Sequence, residues 1–165
     1  DPDAPGTLIC RSPERGNTQV TSIAFRRDLS ILRLQSSRGW SENRMEPAVH
    51  DLLAERGCTP LFQAVSGGEF VAVTENGQHL IEIVRAKKMF DQAAIEDRIG
   101  SVSLVGDFRE NSQQLLHTCL DVLRGNKVRL MFFGASSREI TLFLEQDSLE
   151  KAVSRLHAAF FPPEC

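Results

Sequence analysis

Between Val128 and Phe161 the spacing of apolar positions changes twice. Val128, Leu130, Met131, Phe132 and Phe133 form a run too short for a helix, so they read as a strand. Gly134-Ala135-Ser136-Ser137 reads as a reversal. Ile140, Leu142 and Leu144 then alternate with Thr141 and Phe143, giving a second strand apolar on both faces. Leu149, Val153, Leu156 and Phe160 follow at helical spacing and make one stripe, while Glu150, Lys151, Ser154 and Arg155 point away. Asp147 and Glu150 have the spacing of a capping box at the start of that helix, and Pro162-Pro163 ends it. The pattern predicts strand, turn, strand, helix.

The same order occurs about 70 residues earlier, as Cys58–Phe62, Ser66-Gly67-Gly68, Glu69–Thr74 and a segment from His79 onward. The lead-in repeats too: Ser30–Leu34 resembles Ser101–Val105, and Ala48–Arg56 and Ser112–Arg124 are both helical by pattern. Each copy reads β-α-β-β-α, which with one more strand is the ferredoxin-like plan. The predicted fold class is α+β, two such units. Val20–Phe25 is a further strand, joined to an alternating stretch, Asp28–Gln35, by a tight connection at Arg26-Arg27-Asp28. Ser36–Asn43 is a loop with the only tryptophan. A helix is expected from Glu46 to Arg56, with Pro47 in its first turn, Val49, Leu52 and Leu53 as its stripe, and Gly57 as its stop. Glu75-Asn76-Gly77 suits a hairpin, so 79–88 reads as either hairpin or helix, and the repeat favours helix. Ala93–Glu96 closes the first unit, Ile99–Val105 opens the second, and Gly125-Asn126 ends the second unit's first helix.

A chain of 165 residues with 41% hydrophobic residues can build one ordinary core or two small ones. A net charge of −3 argues against a nucleic-acid partner, which usually calls for a basic face. No apolar stretch has the length of a membrane span. The opening Asp-Pro-Asp-Ala-Pro-Gly has no signal-peptide character and reads as a chain cut in mid-sequence, with an N-terminal region preceding it. Cys10, Cys58, Cys119 and Cys165 fit no zinc spacing, and reduced thiols in the cytoplasm are expected.

No catalytic constellation is visible. His50, His79, His117 and His157 are scattered, without acidic partners at motif spacing. Gly67-Gly68 lacks the pattern of a nucleotide loop and serves a turn. Arg26-Arg27 and Lys87-Lys88 read as solvated pairs, and Phe132-Phe133 as core. The places with chemical potential are the loop-to-helix junctions, where free backbone N–H groups and the helix dipole can hold a carboxylate. These are Gly39–Met45 with Thr59–Leu61 in the first unit, and Gly106–Asn111 with Arg129–Met131 in the second.

The opening Asp1-Pro2-Asp3-Ala4-Pro5-Gly6-Thr7-Leu8-Ile9 resembles the phrase that follows the kinase domain of aspartokinases. Val20–Leu29 resembles the entry to their regulatory region, and Phe133–Phe161 is similar to the family's ending. The likeness spans the chain, strong at both ends and weak between Arg38 and Lys88. It implies two ACT domains without the catalytic domain, the first inserted into the second: 29–97 as the first, 17–28 plus 98–161 as the second, and 1–16 as a linker from the kinase domain. The parent enzyme would phosphorylate aspartate with ATP, on the way to lysine, threonine and methionine. ATP and magnesium would belong to the kinase domain, with no cofactor and no catalytic residue here. The partners implied are an amino-acid effector (lysine or threonine), the kinase domain and a second copy of the chain.

The resemblance places an effector at Trp40, Ser41, Asn43, Arg44, Met45, Thr59, Pro60, Leu61 and Ser66. The sequence departs from lysine-sensitive relatives there. Arg44-Met45-Glu46-Pro47 replaces a Gly-Phe-Leu-Ala phrase, Pro60-Leu61 replaces Val-Asp, and Val65-Ser66-Gly67 replaces Thr-Ser-Glu. Leu61 removes the carboxylate that would face an ammonium, so lysine is expected to bind weakly or not at all. The competing readings are an acyl-phosphate hydrolase built on Arg109 and Asn111, and an interaction module without effector sensing.

Overall fold

The computed structural model describes residues 20–36, 42–55, 57–75, 77, 90–109, 112–133 and 138–162. The expectations for 1–16, for 79–88 and for the reversal at 134–137 lie outside them. The described residues form six strands and three α-helices: β1 (Val20–Gln35), α1 (Glu42–Ala54), β2 (Phe62–Ser66), β3 (Glu69–Glu75), β4 (Gln92–Gly106), α2 (Ser112–Val122), β5 (Val128–Phe132), β6 (Glu139–Glu145) and α3 (Leu149–Phe160). The strands make one antiparallel sheet in the order β2-β3-β1-β4-β6-β5.

Two expected pairs of strands are single strands. Val20–Phe25 and Asp28–Gln35 are one, β1, and Ala93–Glu96 and Ile99–Val105 are one, β4. The charged triplet Arg26-Arg27-Asp28 is a bulge, not a turn. The β1–β4 register shifts between Arg26 and Leu29 and again between Leu29 and Ile31. At these shifts Asp28 and Arg98 both have φ near 57°, a left-handed backbone that non-glycine residues rarely adopt. Either side of the bulges the strands have different neighbours. Leu29–Gln35 lies between β3 and the start of β4, whereas the register pairs Val20–Arg26 only with Ser101–Gly106. Each half of the sheet therefore has the four-strand order of a ferredoxin-like unit.

Other boundaries move as well. The strand expected at Cys58–Phe62 runs from Phe62 to Ser66, because Pro60 and the turn out of α1 occupy the preceding residues. The helix expected from Glu46 starts at Glu42, so Pro47 lies inside it. The capping box at Asp147 does not form. A 3-10 turn, Gln146–Ser148, precedes α3, and Ser148 makes no side-chain cap bond. Asp147 instead pairs with Arg98 at 2.6 Å and Glu150 with Arg27 at 2.7 Å. Gln146 accepts from the Asp28 backbone N–H at 2.6 Å and donates to Asp28 Oδ1 at 2.9 Å. Both bulges are thus tied to the start of α3. The two ion pairs are exposed and contribute at most about 1 kcal/mol each, so their role is to set geometry.

The helices cover one face of the sheet. Leu32, Leu34, Phe70 and Ala72 pack on Met45, Val49, Leu52 and Leu53 of α1. Val102, Leu104, Ile140, Leu142 and Leu144 pack on α2 and α3 through Leu115, Cys119, Leu149, Ala152 and Leu156. The opposite face carries its own cluster, Leu29, Ile31, Val73, Ile99 and Phe143, with Leu61, Phe62, Leu130 and Phe132 against it. Phe62 on β2 and Phe132 on β5 have ring centroids 4.7 Å apart. A flat sheet six strands wide would hold its edges about 24 Å apart, so this sheet curls until its two edge strands face each other.

Candidate functional site

The residues between α1 and β2 build a surface groove. Gly57 takes φ 65°, its N–H bonds to Ala54 O, and Cys58 N–H bonds to Leu53 O, which closes the helix. The chain then crosses to the sheet, and Leu61 N–H reaches Val73 O at 2.8 Å. Between this crossing and the outer face of α1 is an open depression of about 560 Å³, lined by His50, Ala54 and the run 57–63. Thr59 is exposed at its rim, while Cys58, Pro60, Leu61 and Phe62 are half-buried. Gln63 donates through Nε2 to Glu46 Oε1 at 2.9 Å, and Gln63 Oε1 is buried with no hydrogen-bond partner.

Of the residues expected to hold an effector, the groove brings together Thr59, Pro60 and Leu61. Arg44 is exposed on α1, and Met45 is fully buried in the core against Val49 and Leu53, away from the groove. Ser66 is exposed at the far end of β2, about 16 Å of strand from Leu61. Asn43 lies in the first turn of α1, and Trp40 and Ser41 are outside the described residues. Sequence reasoning missed Gln63 and His50. The available signal was Glu46 and His50 at helical i, i+4 spacing, which puts both on one side of α1.

The junction in the second unit is already satisfied. Arg109 Nε donates to Asp107 Oδ1 at 2.8 Å, and its Nη2 donates to Oδ2. The hydrogen bonds and charge of Arg109 hold the Asp107 carboxyl down to about 2. Arg109 is therefore engaged where the hydrolase reading would need it for phosphate, and Asn111 is outside the described residues. Arg129 turns onto Glu145 at 2.7 Å and Glu96 at 3.6 Å. His117, expected to have no acidic partner, has Nδ1 at 3.2 Å from Asp121 Oδ2 one helical turn on. Cys119 is fully buried, and burial pushes its thiol up to about 12, which makes it unreactive. Phe132 packs inward as expected, but Phe133 is 40% exposed. Among the described residues no group of three or more His, Cys, Asp or Glu could hold a metal ion. No helix there is long and apolar enough to cross a membrane.

Two ferredoxin-like units sharing long strands in one curled antiparallel sheet are a fold this chain has in common with solved aspartokinase structures. The solved structures it resembles include the regulatory subunit of aspartate kinase from Thermus thermophilus in its ligand-free form. That match has TM-score 0.73 and 18% identity over 86% of this chain and 98% of that one. Escherichia coli aspartokinase III matches with TM-score 0.81 in complex with aspartate and ADP, and 0.78 in complex with lysine and aspartate. Each is 21% identical over 98% of this chain. By sequence, "Aspartokinase 2, chloroplastic" of Arabidopsis thaliana is 26% identical over 174 residues, covering 98% of this chain and 32% of that protein. The homologues of this chain are aspartokinases, matched over their C-terminal part. The chain spans about a third of the length of two chloroplastic aspartokinases of Arabidopsis thaliana that it matches (32% and 31%). No family model matches it.

Proposed function

We propose that this chain is the amino-acid-sensing regulatory region of an aspartokinase, with an effector held in the groove between α1 and β2. The observation that carries this reading is the coincidence of a match over 98% of the chain to aspartokinases with an open groove at the same α1–β2 junction that the resemblance marks. Residues 29–97 make the first ACT domain. Residues 17–28 and 98–161 make the second, and 1–16 lead in from the kinase part. The pairing of Val20–Arg26 with Ser101–Gly106 supports that division.

The groove offers a backbone crossing, the Thr59 hydroxyl and Gln63, whose Nε2 donates to Glu46, to a small polar molecule. Leu61 packs into the apolar cluster of the sheet and brings no charge for an ammonium. Lysine is accordingly a poor effector, and threonine or another neutral side chain suits the site better. Phosphoryl transfer, with its ATP and magnesium, belongs to the kinase part. The chain pairs with a second copy through its ACT domains and with its own kinase domain. A cytoplasmic location goes with this reading, and cell fractionation tests it.

Titration calorimetry of the chain with lysine, threonine and methionine tests the central point. Saturable binding of one of them that is lost in Gln63→Ala is expected. Silence toward all three would leave dimerisation of the kinase as the region's role.

A further inference from the structure

We infer that the groove and the contact between the two halves of the sheet are one device, joined by Phe62, so that filling the groove is felt in the second unit. This rests on the reading of the groove as a binding site, but not on which amino acid enters it. Phe62 lines the groove. Its ring also lies 4.7 Å from that of Phe132 on β5 and 5.4 Å from that of Phe143 on β6. Phe132 and Phe143 stand edge to face at 6.1 Å. Beside it, Leu61 lines the groove and packs against the same cluster.

The sheet order leaves β2 and β5 as the two edge strands, with no backbone pairing to each other. The seam between them is therefore held by side chains. Aromatic pairs prefer a few offset or edge-to-face arrangements, and packed interiors change between discrete arrangements and do not deform smoothly. A molecule that displaces the 59–63 backbone must move Phe62. Moving Phe62 changes what Phe132 and Phe143 pack against.

A covalent occupant tests this without knowing the effector. Cys58 is half-buried in the groove wall, whereas Cys119 is fully buried with its thiol pushed up to about 12. In a Cys10→Ser, Cys165→Ser background, N-ethylmaleimide should modify Cys58 alone. Amide exchange of Val128–Phe132 should then change by about threefold or more, and Phe62→Leu, which keeps apolar bulk but loses the ring, should abolish that change. A response confined to α1 and β2 would overturn the inference. So would an equal β5 response in Phe62→Leu, or a Cys58 that the reagent cannot reach. Amino-acid titration reads a different property, so failure of lysine, threonine and methionine to bind is distinguishable from failure of this coupling.

Discussion

Gly100 lies directly under Leu149 of α3, and replacing it by alanine tests how tightly the second unit is closed. Gly100 is buried on β4 opposite Leu144. A Cβ placed on it would lie 2.8 Å from Leu149 Cδ2, 3.2 Å from Cδ1 and 3.3 Å from Cγ. Ordinary carbon contacts lie at about 3.5–4.0 Å, so the shortest overlap is large. Leu149 has little room to yield. It is fully buried, it is the first residue of α3, and its N–H bonds to Gln146 O. Overpacking of this kind costs about 1–3 kcal/mol, offset by about 0.5–1 kcal/mol for losing a glycine within a strand. With the overlap at 2.8 Å the cost falls in the upper part of that range, about 2–3 kcal/mol, so the net loss expected is about 1–2.5 kcal/mol, or a fall of about 2–10 °C in Tm for a domain of this size. Urea denaturation followed by circular dichroism measures it. Leu149→Ala alone should cost about 2–5 kcal/mol. The double variant should be less destabilised than the sum by about 1 kcal/mol, because each change relieves the other. An unchanged midpoint for Gly100→Ala, or strict additivity in the cycle, would refute the idea that glycine is there to let α3 approach.

Three further outcomes are expected. Leu61→Asp puts a carboxylate into a half-buried apolar position, so it should lower stability by about 1–3 kcal/mol and let lysine raise the melting temperature of the variant but not of the parent chain. A carboxyl titration by nuclear magnetic resonance should put Asp107 at about 2, against an ordinary 3.8, and Arg109→Ala should return it to the ordinary range. Because the folded-state value is depressed, the stability this group adds is present above about pH 4 and fades as pH falls toward 2. Its side chain is exposed, so the effect on unfolding should be small. In the native protein Cys58 should be alkylated well before Cys119, and denaturation should erase the difference, as read by mass spectrometry of the two peptides.

Short-range periodicity made much of the fold legible. β3, β6 and α3 lie within a residue or two of where alternation and the Leu149–Val153–Leu156–Phe160 stripe put them. The duplicated order of elements was enough to recover two units. What sequence reasoning lost was set by long-range partners. Arg26-Arg27-Asp28 looks like a turn because it is charged, and only the opposing β4 strand makes it a bulge. Asp147 and Glu150 have the spacing of a cap, but arginines 49 and 123 residues away in sequence take them. Met45 could have been read as core, since it extends the Val49–Leu52–Leu53 stripe by one turn. Gln63 was beyond reach, because its pairing with Glu46 depends on how β2 crosses α1.

β1 and β4 run without a break through both halves of the sheet, so the two units cannot part without tearing that ladder. Between the two halves the ladder is interrupted at the bulges of Asp28 and Arg98, where the backbone is left-handed, so a relative twist of the units would be taken up there. Such a pivot leaves residues near it almost still and moves the edge strands most. A twist of about 10° shifts a strand two spacings away, roughly 9.6 Å, by about 1.7 Å. That would stretch the 4.7 Å separation of Phe62 and Phe132 most of the way to the roughly 7 Å at which aromatic pairing ends. The exposed salt links around Gln146–Glu150 are weak enough to allow such a twist, and specific enough to define its resting angle. The seam is therefore the part of the fold where a small push beside Phe62 has the greatest mechanical advantage over the angle between the two units.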